Sequence, residues 1–75
     1  DIKIDKVVNI GGKYYIKGEN FTEYSKVTLD GKQLKTIYLG TNLLGLLEDV
    51  DPNDASKMKV SQIDKSSKEI ISTTE

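Results

Sequence analysis

Carboxylates crowd one stretch of this 75-residue chain: Glu48, Asp49, Asp51 and Asp54, with the amide Asn53 among them. A hard cation such as Ca²⁺ gathers oxygens at alternate positions, and Asp49-x-Asp51-x-Asn53 has the spacing that opens an EF-hand loop. The remainder of such a loop is missing. Its sixth position, where a sharp turn calls for Gly, is Asp54, and its twelfth, where a bidentate Glu closes the cage, is Val60. Pro52 stiffens the middle. The stretch therefore reads as a solvated acidic loop, and no metal site is expected.

Aromatic rings are the second group with chemical potential. Tyr14, Tyr15, Tyr24 and Tyr38 each offer apolar area with a polar tip, which suits sugar stacking or protein contact. Tyrosine is also ordinary in strands. Tyr14 is expected in the core, which leaves Tyr15, Tyr24 and Tyr38 as the candidate partner-contact residues. Asn20-Phe21-Thr22 is a glycosylation sequon in form, but Phe21 is explained as core.

Other chemistry has little to work with. There is no Cys and no His, so no disulfide, thiolate or imidazole exists, and a structural zinc site loses its usual ligands. Acid–base catalysis needs paired titratable groups with shifted pKa values in a cleft. The other carboxylates lie in turns or alternate with lysines, and a sandwich this thin is expected to lack a pocket of the usual few hundred Å³. Neither enzymatic activity nor a cofactor is expected.

The eleven basic residues are all lysines and are mixed with twelve acidic ones, for a net charge of −1. A nucleic-acid surface shows a clustered basic patch and usually arginine, so no nucleic-acid partner is expected. No apolar run approaches the ~20 residues of a membrane helix, and no signal peptide is visible; membrane insertion is not expected. The lack of Arg beside many Lys, Ile and Asn is the bias of an AT-rich bacterial genome. With 36% apolar residues, the chain supports one small domain over residues 1–75. Its start at Asp1 leads to the expectation of a module excised from a longer protein.

The elements that would hold these residues are short strands. Ile2 and Ile4 alternate with charges across Asp1–Val8. Gly11-Gly12 turns the chain into Lys13–Lys17, with Tyr14 and Ile16 on one face and Lys13, Tyr15 and Lys17 on the other. Gly18-Glu19-Asn20 ends that strand, and Phe21, the one Phe, is expected to plug the core from a polar loop. Lys26–Leu29 places Val27 and Leu29 on one face. Asp30-Gly31 then predicts a type I′ hairpin, because that turn needs φ > 0 at both central residues. The return strand is Lys32–Thr36, able to run on through Ile37-Tyr38-Leu39. Gly40-Thr41-Asn42 is a further turn.

Leu43–Leu47 fits a strand and also the i, i+3, i+4, i+7 spacing of a helix capped by Thr41 or Asn42. Gly45, the short length and the β character around it favour a strand. Asp49–Ala55 reads as a loop. Lys57–Ile63 alternates, with Met58, Val60 and Gln62 on one face. Asp64–Lys68 turns the chain into a last strand around Ile70-Ile71. Six or seven short antiparallel strands with no helix predict an all-β sandwich.

The run Ile16-Lys17-Gly18-Glu19-Asn20-Phe21 resembles the IPT/TIG family of immunoglobulin-like domains. Ser25, Val27, Leu29, Gly31 and Thr36 follow in that family's order, and Leu44, Leu46, Pro52 and Val60 fit its later strands loosely. The resemblance spans nearly the whole chain and is most specific over residues 14–36. The loop from Asp49 to Lys57 departs from it in being more acidic and lacking the family's Gly. Gly18 is expected to supply a backbone conformation that a Cβ disfavours, letting the loop drop Phe21 between the sheets.

The resemblance implies an immunoglobulin-like β-sandwich. It also implies a non-catalytic accessory module in a bacterial, Gram-positive surface or envelope protein, with a neighbouring domain of the same chain as its partner. The ending Val60-x-Gln62-x-Asp64…Ile70-Ile71-Ser72-Thr73-Thr74-Glu75 is similar to small C-terminal domains of membrane-anchored, sulfatase-like phosphoglycerol transferases. The alternative is a binding module that holds cell-wall glycan or protein through Tyr15, Tyr24 and Tyr38.

Overall fold

The alternating pattern folds into eight strands and one 3-10 helix in the computed structural model, which describes residues 2–74. The strands are β1 (Lys3–Ile10), β2 (Lys13–Glu19), β3 (Ser25–Leu29), β4 (Lys32–Gln33), β5 (Thr36–Gly40), β6 (Leu43–Leu46), β7 (Lys59–Ile63) and β8 (Ile70–Thr73). All pairings are antiparallel. One sheet runs β1-β2-β6-β5 and the other β4-β3-β7-β8. The chain is all-β, and Leu43–Leu46 is a strand.

The core lies between the sheets. Tyr14 and Ile16 of β2 and Leu44 and Leu46 of β6 meet Val27 of β3 and Val60 of β7, with Phe21, Leu34 and Met58 closing the ends. The Ile16, Phe21 and Val27 positions of the sequence motif are thus core positions, as expected.

Eight strands stand where six or seven were predicted, because the return segment divides. The hairpin itself forms: Asp30 and Gly31 have φ of 52° and 81°, and Leu29 pairs with Lys32 and Thr28 with Gln33. Leu34 N–H still donates to Val27 C=O at 2.9 Å. Past that bond the chain leaves the sheet, and Thr36 pairs instead with Leu46 of the other one. Lys32–Thr36 is therefore not one strand but a two-residue strand and the start of another.

Thr36 manages this departure. Its hydroxyl accepts from Val27 N–H at 2.9 Å and donates to Leu34 C=O at 3.0 Å. It fills the gap in which the two backbone groups would otherwise bond directly, so neither is left without a partner. Thr36→Val keeps the shape and removes both bonds. It should lower unfolding free energy by about 1–3 kcal/mol in urea titration; a loss near zero would show that the relay contributes nothing. Gly31 has no atom within 4 Å of where a Cβ would stand, so a substitution there meets strain without a clash. Gly31→Val should cost about 1–3 kcal/mol by the same measurement, from the left-handed backbone alone.

Two further expectations need correction. The stretch read as a loop holds a 3-10 helix, Pro52–Lys57, with Pro at its start and Asp51 as N-cap accepting from Asn53 N–H at 2.9 Å. Pro fits the first turn of a helix because it has no N–H to leave unbonded. Lys57 and Met58 belong to that helix and its cap, so β7 begins only at Lys59. Secondly, Gly18 does not take a left-handed conformation; among its neighbours Asn20 does, at φ 65°. Gly18 is needed for space, not for backbone freedom.

Candidate interaction surface

Strand register decides what each sheet shows to solvent. Ile16 and Leu44 are paired and wholly buried, so Tyr15 and Gly45, their paired successors, project from the opposite face. Across the first sheet, Val8, Tyr15, Gly45 and Ile37 form one row. A Cβ on Gly45 would stand 2.9 Å from Ile37 Cγ2, 3.2 Å from Leu39 Cδ1 and 3.6 Å from Tyr15 Cδ1. These three side chains lean over bare backbone and cover it, a cross-strand device that offsets a glycine's weak contribution to a sheet.

The result is an apolar outer face. Ile37 is 42% exposed and Leu39 47%. Ile10, on the same face at the end of β1, is 65% exposed. Leu47, whose N–H continues the ladder to Lys35, is 58% exposed. An antiparallel sheet with one solvated side ordinarily shows polar side chains there. The second sheet is mixed: Lys26 and Lys59 occupy outward positions beside the covered hydroxyls of Thr28 and Ser61, while Ile70 and Ile71 of its edge strand are 39% and 67% exposed. There the hydroxyls of Thr28, Ser61 and Thr73 bond in a row at 3.2 and 2.8 Å.

Charge on the apolar face has one dominant sign. Lys6 stands opposite Lys17, and Lys13 opposite Ile10. Among the described residues the one ion pair is Lys57–Asp54, at 3.6 Å, so none of these three ammonium groups is neutralised. Two carboxylates stand near them: Asp5 of β1, which lines a hollow with Lys17 and Leu43, and Glu19, opposite Lys3 at the far end of the two strands.

The three candidate tyrosines do not form one platform. Tyr15 is central to the apolar face. Tyr38 is on the same sheet but pairs with Leu44, which turns it to the other side at the exposed edge. Tyr24 belongs to the opposite sheet's approach; its carbonyl accepts from Ile63 N–H at 3.0 Å, and Lys68 Nζ lies 5.8 Å from its ring centroid. Ile37, Leu39 and Gly45 were not among the sequence candidates. Only Gly45 lies in Leu43–Leu47, a run with no polar residue, which marks that strand as apolar on both faces.

The acidic stretch is engaged locally. Asp51 caps the 3-10 helix, Asp54 pairs with Lys57, and Glu48 accepts from Lys35 N–H. Among the described residues no three acidic, His or Cys side chains converge on a point that could hold a metal ion. Asp64 is likewise structural: N–H groups of Ser67 and Ser66 bond its carboxylate at 2.9 and 2.8 Å and hold its pKa below the ordinary carboxylate range.

Open hollows exist where none of this size was expected. One, of about 460 Å³, runs past Ile2, Asn20, Gln62 and Ser72, and its described lining has no titratable side chain. Another, of about 300 Å³, lies over the Thr28–Ser61–Thr73 hydroxyls beside Lys57, Lys59 and Asp30.

No helix among the described residues is long and apolar enough to cross a membrane. No family model matches this chain, and no curated protein or solved structure matches it either.

Proposed function

We propose that this chain is a non-catalytic accessory module of a larger bacterial cell-envelope or extracellular protein, and that it works by seating the outer face of its first sheet on a neighbouring domain. The observation that carries this reading is the exposed apolar layer of Tyr15, Ile37 and Leu39 around Gly45. Exposed apolar side chains gathered on one sheet face, unlike single scattered ones, mark contact sites. Full burial of each such side chain is worth roughly 1.5–3 kcal/mol, before the ordering costs of association.

An immunoglobulin-like fold of the IPT/TIG type is part of the proposal. Its support is the pair of four-stranded antiparallel sheets, the sheet change at Thr36, and a buried Phe21 beside Gly18. A membrane-anchored phosphoglycerol transferase is a candidate parent. Ile37→Ser with Leu39→Ser tests the role, because both side chains are partly exposed on an edge strand. The variant domain should melt at a lower temperature but still cooperatively, since both side chains also cover Gly45. In the full-length protein, protease resistance at the domain junction should fall. Unchanged resistance would overturn the docking role.

A second reading, a glycan- or protein-binding module, is favoured by the single ring of Tyr15 on the open face. Titration with cell-wall polysaccharide fragments checks it, with Tyr15→Ala expected to abolish any binding.

A further inference from the structure

We infer, on the docking role proposed above, that the surface received by this face has an apolar centre and a rim of carboxylates, so that the contact is steered and held by charge. Two observations carry this. Lys6 and Lys17 are directly opposed across β1 and β2, a like-charge pairing that destabilises a sheet, and Lys13 adds a third ammonium on the same face. None of the three has a carboxylate within ion-pair distance among the described residues. Asp5, which lines a hollow with Lys17, stays beyond that distance, so the three ammonium groups outnumber the carboxylates on this face. The whole chain, moreover, carries a net charge of −1, so this face has the opposite sign to the molecule that bears it.

Other occupants fit less well. A second copy seated face to face by a two-fold axis would bring two sets of Lys6, Lys13 and Lys17 over one small area, and like charges at a dewatered rim oppose association. An anionic bilayer satisfies the lysines but not the apolar centre. Tyr15, Ile37 and Leu39 are packed across Gly45, whereas membrane anchoring scales with apolar area that reaches past the headgroups. An apolar strand-built layer suits another protein layer, packed roughly 10 Å away as sheets pack on sheets.

Zero-length carbodiimide coupling, which joins an amine to a touching carboxylate, tests this in the full-length protein. Peptide mapping should find Lys6, Lys13 or Lys17 joined to Asp or Glu residues outside residues 1–75, with yields falling several-fold as salt rises and the Debye length shrinks from about 10 to 3 Å. Lys6→Gln with Lys17→Gln should weaken the docking while leaving the isolated domain as stable or more so. Nitration of Tyr15 serves as the independent readout of coverage. If Tyr15 is protected but the lysines form no such links, the charge inference fails and the docking role stands. If Tyr15 reacts freely in the full-length protein, both fail. Lysine-dependent binding to phosphatidylcholine vesicles containing a third phosphatidylglycerol, or concentration-dependent dimerisation, would overturn the inference in favour of a lipid surface or a second copy.

Discussion

Phe21→Ala should cost about 3–5 kcal/mol, the usual range for emptying a buried aromatic site. The side chain is 1% exposed, and its backbone N–H donates to Thr41 C=O at 2.8 Å, which ties the loop after β2 to the turn before β6. The ring therefore fills the space between the sheets from a loop, at a place where no strand residue can substitute for it. A chain of 75 residues has little stability to lose, since a single core of this size rarely supplies more than about 3–5 kcal/mol. The variant is expected to show no cooperative thermal transition by circular dichroism. Phe21→Leu, which keeps much of the volume, should cost about 1.5 kcal/mol or less and retain a sharp transition. A Phe21→Ala protein that melts within a few degrees of the parent would show that the ring does not hold the sheets together.

Much of the frame was legible because its signals are local. Alternation at Tyr14 and Ile16, and at Val27, settled which faces turn inward, and Asp30-Gly31 fixed a turn that needs two left-handed residues. Phe21 was legible as an apolar residue with no periodic neighbours. What local patterning could not show was the change of sheet after Leu34. It depends on a side-chain hydroxyl standing in for a backbone partner, and Thr36 looks in sequence like any strand threonine. The short helix at Pro52–Lys57 was hidden for a related reason: acidic and amide residues suit both loops and helix starts, and only the Asp51 cap distinguishes them.

The candidate surface was legible in one residue of three. Tyr15 is where alternation places it, outward beside Ile16. Tyr24 and Tyr38 were separated from it by topology, which sequence spacing does not reveal. The apolar face itself arises only when β5 and β2 flank β6, so that Ile37 and Tyr15 meet across Gly45. Residues 15, 37 and 45 are far apart in the chain, and no window of local periodicity contains them.

Gly18→Ala should be nearly as damaging as Phe21→Ala, at about 3 kcal/mol or more, through crowding and not through backbone conformation. An added Cβ would stand 2.0 Å from Lys3 C=O and 2.6 Å from Phe21 Cζ, both below any distance that real Cβ atoms keep. The ring end of Phe21 can give way, but the Lys3 carbonyl is backbone in β1, where Ile4 pairs with Gly18 and Lys3 with Glu19. To admit the methyl, the first turn of the β1–β2 ladder must open, exposing the Ile4 side that packs on the core. The two contacts can be separated by experiment. If the ring were the main obstacle, Phe21→Leu would relieve Gly18→Ala, and the double variant would be more stable than the sum of the single losses predicts. Because the nearest atom is the Lys3 carbonyl oxygen, little relief is expected, and amide hydrogens at the Lys3 end of β1 should exchange faster in both Ala-bearing proteins. Full rescue by Phe21→Leu would place the tight contact on the ring and free β1 from it. A Gly18→Ala protein as stable as the parent would mean that β1 lies farther from β2 at this point than the structure has it.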